Sequence, residues 1–224
     1  MYTAIMATTT DAPYIEQALL SIANQSTQPT EVIVVVNGPD AIDSPLGAWL
    51  RQSFPKFHIV EHRFSGQAHA YSLGLASLST KYVAFLDADD FWSPGKQEAQ
   101  LALLEGSPDF DVACGPIVNF REDSDGSLIE SPPIIARLFG ACTFSKAVFE
   151  AVGAPNPDAP HFTWLYRWWL KAENAGIRRL PVNDPVMYRR IHETNSWRTS
   201  NGEGRSQLIA ELRRVSHDRR GMDA

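Results

Sequence analysis

Cysteine is scarce in this chain: Cys114 and Cys142 are the only two in 224 residues. Both stand among apolar neighbours with no metal-ligand spacing, so they read as buried free thiols, consistent with a reducing compartment. Positive charge is also short, with Lys and Arg numbering 20 against 26 Asp and Glu and a net charge of −6. The basic face that phosphate neutralisation requires is missing, which argues against nucleic acid as a partner. No apolar stretch approaches bilayer-spanning length, so no integral membrane segment is expected. The opening Met1-Tyr2-Thr3-Ala4-Ile5-Met6 lacks the basic n-region of a signal peptide, and a cytoplasmic location is the default. There is no repeat and no low-complexity tract. What remains is ordinary for a globular protein, 44% hydrophobic and 21% charged. The length suits one generous domain, or a core domain with a C-terminal elaboration.

The most informative stretch is Tyr82-Val-Ala-Phe-Leu-Asp-Ala-Asp-Asp-Phe-Trp92, an apolar run that drives into three carboxylates at Asp87, Asp89 and Asp90. A buried strand ending in clustered acids places negative charge at the carboxyl edge of a sheet, where open α/β folds bind ligands. Carboxylates this close repel one another and call for a cation. Mg²⁺ or Mn²⁺ is the natural candidate, because hard divalent ions take oxygen ligands and hold phosphate in turn. A solvated acidic turn is the plain alternative. Ser93-Pro94 then reads as the N-cap and first-turn proline of a following helix.

The first half alternates strand and helix signals. Strands are expected at Tyr2–Met6, Glu31–Val36, Phe57–Val60 and Tyr82–Leu86. Helices are expected after Asp11 (a plausible cap, with Tyr14, Ala18, Leu19 and Ile22 on one face), over Ile42–Phe54, over Gly66–Leu78 and over Pro94–Leu104. The continuous Val/Ile run at 31–36 marks a strand covered on both faces, and the alternation means βαβ units with a mostly parallel sheet flanked by helices. Beyond residue 110 the pattern loosens. Val112–Phe120 and Ile134–Leu138 look like strands, and Arg121–Gly126 like a charged loop or hairpin tip. Ser145 opens a short helix that ends at Gly153, the proline-rich 154–160 is loop, and Phe162–Ala175 is an aromatic helix stopped by Gly176. Arg178–Val182 and Val186–Ile191 read as strands. Arg205–Val215 reads as a helix whose apolar face, Leu208, Ile209, Leu212 and Val215, is suited to packing in cis or against a second chain. Residues 1–110 are thus expected to form a nucleotide-binding βαβ half, 111–200 an acceptor-side half of the same domain, and 201–224 a C-terminal helix and tail.

With its strands in this order the sequence resembles the family 2 glycosyltransferases. The resemblance runs from residue 2 to about residue 198 and rests on several ordered segments: the turn Ala7-Thr8-Thr9-Thr10-Asp11, the strand Glu31-Val32-Ile33-Val34-Val35, the glycine-led helix from Gly66, Lys81–Asp90, Phe149–Gly153 and Pro185–His192. It implies a GT-A fold and a nucleotide-diphosphate sugar donor, often a UDP-sugar, lying across the carboxyl edge of the sheet. It further implies a divalent ion near Asp89, with Asp90 and His192 close to the metal and diphosphate, and Asp87 in the donor site. By position, Thr8, Thr9 and Asn37 would surround nucleobase and ribose, although Thr and Asn also serve as simple turn residues. The acceptor is unknown.

Four positions depart from the family pattern. Asn37 stands where an aspartate is common, Tyr71 replaces the arginine typical of the glycine-led helix, and Thr9 replaces a tyrosine. Most seriously, the catalytic Asp or Glu of inverting members aligns with Thr163, Trp164 and Leu165, none of which takes a proton at neutral pH. The nearest titratable groups are Asp158 and His161, and His161 has the better intrinsic pKa for a general base. Trp164 is a candidate acceptor contact, whereas Trp168 and Trp169 are expected in the core. Two functions stay open: an active, metal-dependent and inverting glycosyltransferase with a relocated base, and a GT-A-like nucleotide-binding or scaffold module that has lost catalysis. Nucleotidyl transfer is disfavoured, because no early glycine-rich basic loop is present to cradle a triphosphate.

Overall fold

A computed structural model describes residues 1–159 and 163–193. The apolar runs of the first half form the centre of one sheet. β1 (Tyr2–Thr8), β2 (Glu31–Asn37), β3 (His58–His62) and β4 (Tyr82–Asp87) are mutually parallel in the spatial order β3-β2-β1-β4. Side chains alternate between two cores. Tyr2, Ala4 and Met6 join Val32, Val34, Val36, Ala84 and Leu86 on one face, while Ile5, Ile33, Val35, Val83 and Phe85 lie on the other. Helices α1 (Ile15–Ala23), α2 (Pro45–Ser53) and α4 (Lys96–Gly106) cover the first face; α3 (Gln67–Ala76), α5 (Lys146–Val152) and α6 (Trp164–Asn174) cover the second. Both faces are dry, so the strands carry no polar alternation.

β5 (Phe91–Trp92) leaves the first sheet directly after the acidic turn. β6 (Val112–Cys114), β9 (Cys142–Ser145) and β10 (Arg179–Pro181) extend that sheet past β4, with β9 antiparallel to both neighbours, to give β10-β6-β9-β4-β1-β2-β3. A second, four-stranded sheet runs β5-β11-β7-β8, where β7 is Ile117–Glu122, β8 is Leu128–Glu130 and β11 is Met187–Arg190. The chain steps outward from β1 to β2 and β3, then returns to the opposite side of β1 as β4. The carboxyl ends of β1 and β4 therefore flank a topological switch point, the usual ligand crevice of such sheets.

Several sequence expectations need correction. The stretch Val112–Phe120 is not one strand, because Gly115-Pro116 breaks it and the two pieces join different sheets. Ile134–Leu138 contributes only an isolated bridge from Ile134 to Ile117. Neither Asp11 nor Ser93 caps a helix: α1 starts after Tyr14 and α4 after Gly95, and neither cap makes a side-chain bond. Instead Ser93 donates its backbone N–H to Val186 O, tying α4 to the second sheet. Ser145 holds the N-cap position of α5 without a side-chain bond, and Gly153 ends that helix at φ 85°. Trp164 is buried with Trp168 and Trp169 around Phe139 rather than presented to solvent. The Arg205–Val215 helix lies outside the described residues, among which no helix is long and apolar enough to cross a membrane.

Candidate active site

The site is built by the turn that ends β4. Asp87 is its last residue, in register with Ala7 of β1, and the chain must turn at once to enter β5. That turn gathers Asp87, Asp89 and Asp90 so that one carboxylate oxygen from each lies within 4.8 Å of the others. Asp87 is held from above by α3. Its Oδ1 accepts hydrogen bonds from Gln67 Nε2 and the Tyr71 hydroxyl, each at 2.5 Å. Gln67, Tyr71 and Gly74 share one face of α3 at i, i+4 and i+7. A Cβ at Gly74 would come within 2.5 Å of Ile5 Cγ2, so only glycine lets the helix settle close enough to β1 for these two side chains to reach the carboxylate.

Burial, and then the charge of Asp89, pushes Asp87 up to about 6, against the pull of its two hydrogen bonds and of Arg189. Burial and the charges of Asp89 and Asp87 push Asp90 well above the usual carboxylate range. Asp90 turns inward and does not line the cavity described below. Its Oδ1 accepts the Arg190 backbone N–H at 2.9 Å, fastening β11 beneath the acidic turn. Asp89 meets His192, with Nε2 to Oδ2 at 3.1 Å, an ion pair whenever the imidazole is protonated. His192 leans on the Tyr14 ring at 5.5 Å, and the Arg190 guanidinium lies 4.0 Å over the same ring. Arg190 is anchored in turn by Glu122 and Gln17.

A cavity of about 610 Å³ opens over this turn, within the usual size range of small-molecule sites. The β1–α1 loop contributes Thr8, Thr9, Asp11 and Tyr14 to its walls, the end of β2 Asn37, the start of α3 Gly66 and Gln67, and the far side Asp87, Asp89 and His192. Asn37 is buried, and its Nδ2 donates to Gly66 O at 2.9 Å and Phe64 O at 3.3 Å. The amide thus pins the β3–α3 loop and keeps Oδ1 as the part it can offer to a ligand. Thr8 and Thr9 spend their hydroxyl protons on the loop itself, on Thr9 O and Asp11 O. A much smaller cavity, about 30 Å³, adjoins the first at Gln67 and Asp87 and is otherwise walled by apolar groups that include Leu138, Phe139, Trp164 and Leu165.

The structure therefore gathers Thr8, Thr9, Asn37, Asp87, Asp89 and His192 around one cavity. It does not bring Asp158 there. That residue is exposed, and its charge acts on His69 of α3, which points toward His62 instead of the acidic turn. His161 lies outside the described residues. Gln67 and Tyr14 were not singled out from the sequence, although the i, i+4 spacing of Gln67 and Tyr71 behind a glycine was the signal available. The donor set suits a hard divalent cation, because the three carboxylates crowd one another and two of them are driven toward protonation without a cation between them.

Residues 3–167 match the model of the family described as glycosyl transferase family 2. The chain belongs to that family. An uncharacterized glycosyltransferase of Rickettsia bellii (strain RML369-C) is 34% identical over 132 residues, 59% of this chain and 18% of that protein. The UDP-Glc:alpha-D-GlcNAc-diphosphoundecaprenol beta-1,3-glucosyltransferase WfaP of Escherichia coli is 27% identical over 135 residues, 57% of this chain and 52% of that protein. This family 2 chain thus spans about half or less of the length of these two curated relatives. In three dimensions it is similar to TarS 1–349 of S. aureus, with a TM-score of 0.63 at 16% identity, covering 84% of this chain and 60% of that one. TarS 1–349 in complex with UDP-GlcNAc matches with a TM-score of 0.62 at 18% identity, covering 89% and 60%. The architecture is GT-A-like, with a mostly parallel central sheet flanked by helices.

Proposed function

We propose that this chain binds a nucleotide-diphosphate sugar in the large cavity and transfers the sugar, with inversion and with Mg²⁺ or Mn²⁺, to an acceptor. The observation that carries the reading is the meeting of Asp89 and His192 at the switch point, beside two further carboxylates and beneath a cavity of donor size. Structures of similar fold hold UDP and UDP-GlcNAc, and WfaP is named for a UDP-glucose donor, which supports a uridine nucleotide as the first donor to try.

Within the site, Asn37 Oδ1 is the acceptor for a base N–H, and Thr8 and Thr9 border the ribose. Asp89, with Asp87 and Asp90 behind it, would hold the metal, and His192 stands where a diphosphate oxygen needs a donor. The ion, when bound, supplies positive charge against the negative charge that develops on the departing diphosphate. Gln67 and Tyr71 keep Asp87 oriented and ionised. An acceptor hydroxyl still needs a proton acceptor, and the proposed source is the loop that carries Asp158 and His161.

A second reading, a nucleotide-binding module without turnover, is favoured by one observation: Trp164 and Leu165 occupy the usual base position, and Trp164 is buried. Calorimetry with UDP and GDP, with and without Mn²⁺, tests the donor site. Metal-dependent binding that vanishes in Asp89→Ala supports it, and unchanged binding by Asp89→Ala in Mn²⁺ overturns it. Binding without transfer or hydrolysis of any bound donor selects the second reading.

A further inference from the structure

The two cysteines, separated by 28 positions in the chain, are direct cross-strand partners where β6 meets β9. The ladder fixes what kind of partners they are. Gly115 donates its backbone N–H to Ala141 O, while the carbonyl of Cys114 faces the other way and accepts from Val182. Cys114 and Cys142 therefore form a non-hydrogen-bonded antiparallel pair, the arrangement in which Cα atoms approach to about 4.5 Å and side chains lie closest. That spacing falls inside the window of roughly 4.4–6.8 Å in which a disulfide closes without backbone movement. The sulfurs are 2.7 Å apart, with Cys142 buried and Cys114 partly open.

The two sulfurs differ in their surroundings, and that difference sets the order of attack. Lys96, itself buried, places Nζ 3.3 Å from Cys142 O. Burial, and then Cys114 itself, push the Cys142 thiol well above its usual range, and the charges of Lys96 and Arg179 oppose that only in part, so the partly open Cys114 is the sulfur placed to react first.

We propose that Cys114 and Cys142 are a reversible redox modification site, at which a peroxide converts the two thiols into a cross-strand disulfide. The partly open Cys114 attacks the peroxide first. Its sulfur takes one oxygen as the O–O bond breaks, giving a sulfenic acid and one water. The Cys142 sulfur then displaces that oxygen as a second water, the S–S bond forms, and both thiol protons end in water. Overall, two thiols and one hydrogen peroxide give one disulfide and two waters. A dithiol reductant reverses the change by exchange. The bond closes a loop that contains β7, β8 and the Leu138–Gly140 wall of the smaller cavity.

The test treats the full chain with stoichiometric hydrogen peroxide. Free thiols titrated after denaturation are expected to fall from two per chain to none, and peptide mapping should recover one Cys114–Cys142 cross-link. The Tm should rise by on the order of 5–10 °C, since the bond removes chain entropy from the unfolded state. Dithiothreitol should restore both thiols and the original Tm. Cys114→Ser and Cys142→Ser, each checked for native circular dichroism, should give neither cross-link nor Tm rise; if one fails to fold, the other carries the control. Survival of both thiols under peroxide that consumes glutathione overturns the proposal. So does a product that is sulfinate at Cys114, or a disulfide between two chains.

Discussion

Tyr71 donates its hydroxyl proton to Asp87 at 2.5 Å from a fully buried position, 4.7 Å from the Phe85 ring and parallel to Phe139. A neutral donor set in an aromatic core thus favours the ionised carboxylate at Asp87 without burying a second charge. Tyr71→Phe keeps the packing and removes the donor. Its cost should be about 1.5–3 kcal/mol, the usual worth of a hydrogen bond to a charged group. The bond favours the ionised form, so the loss should be larger at pH 8 than at pH 5, on either side of the Asp87 value of about 6. Urea unfolding at the two pH values measures this. Equal losses would show that the bond does not discriminate between the two forms of the carboxyl.

Asn37 offers a prediction that runs against family resemblance. Putting back the commoner aspartate should weaken nucleotide binding, because Asn37→Asp sets a carboxylate against the Gly66 and Phe64 carbonyls that the amide now satisfies. The expected loss in UDP affinity is about tenfold, roughly 1.4 kcal/mol, read by calorimetry in Mn²⁺. Tighter binding by the variant would mean that the amide's donors are not what shapes the loop.

Lys96 should give the chain an unusual pH dependence of stability. Burial pulls its ammonium down from 10.5 to about 7, with the ring of Trp92 at 4.3 Å as partial compensation. Between these two values the unfolded chain binds a proton that the folded chain lacks, so stability rises with pH across that window, by at most about 1.4 kcal/mol per pH unit. Below pH 7 both states are protonated and the penalty is carried in full. Lys96→Met should flatten the slope between pH 7 and 10. A parent chain with no rise in denaturant midpoint across that window would contradict the assignment.

Catalysis, if the base lies in the loop before α6, should respond to His161→Ala or Asp158→Asn. Loss of a general base typically costs about 10²–10⁴-fold in rate, while donor binding is left alone because the base meets the acceptor. Asp158 acts on His69 in this structure, so a fall in turnover confined to His161→Ala is the more informative result. Parental turnover in both variants would place the base elsewhere.

The central strands were legible in the sequence because burial on both faces writes continuous apolar runs, and the acidic turn because charge so rarely follows such a run directly. Fine structure after residue 110 was not. Val112–Phe120 is apolar but for Asn119, and only Gly115-Pro116 marks the point where the chain changes sheet. The helix starts at Ile15 and Lys96 escaped because Asp11 and Ser93 look like caps but are used otherwise, Asp11 in the cavity wall and Ser93 through its backbone. The work of Gln67 and Asn37 was hidden for a different reason. Each acts on an atom far away in sequence, and even the i, i+4 spacing of Gln67 with Tyr71 does not name Asp87 as the partner.

Asp89 hangs from the end of the first sheet, and His192 follows the last strand of the second. The gap between them is accordingly a caliper set across two sheets, closed at 3.1 Å and joined underneath by the bond from the Arg190 backbone N–H to the Asp90 carboxylate. Any sliding of one sheet against the other changes that gap together with the shared interior of Leu86, Trp92, Ile117 and Met187.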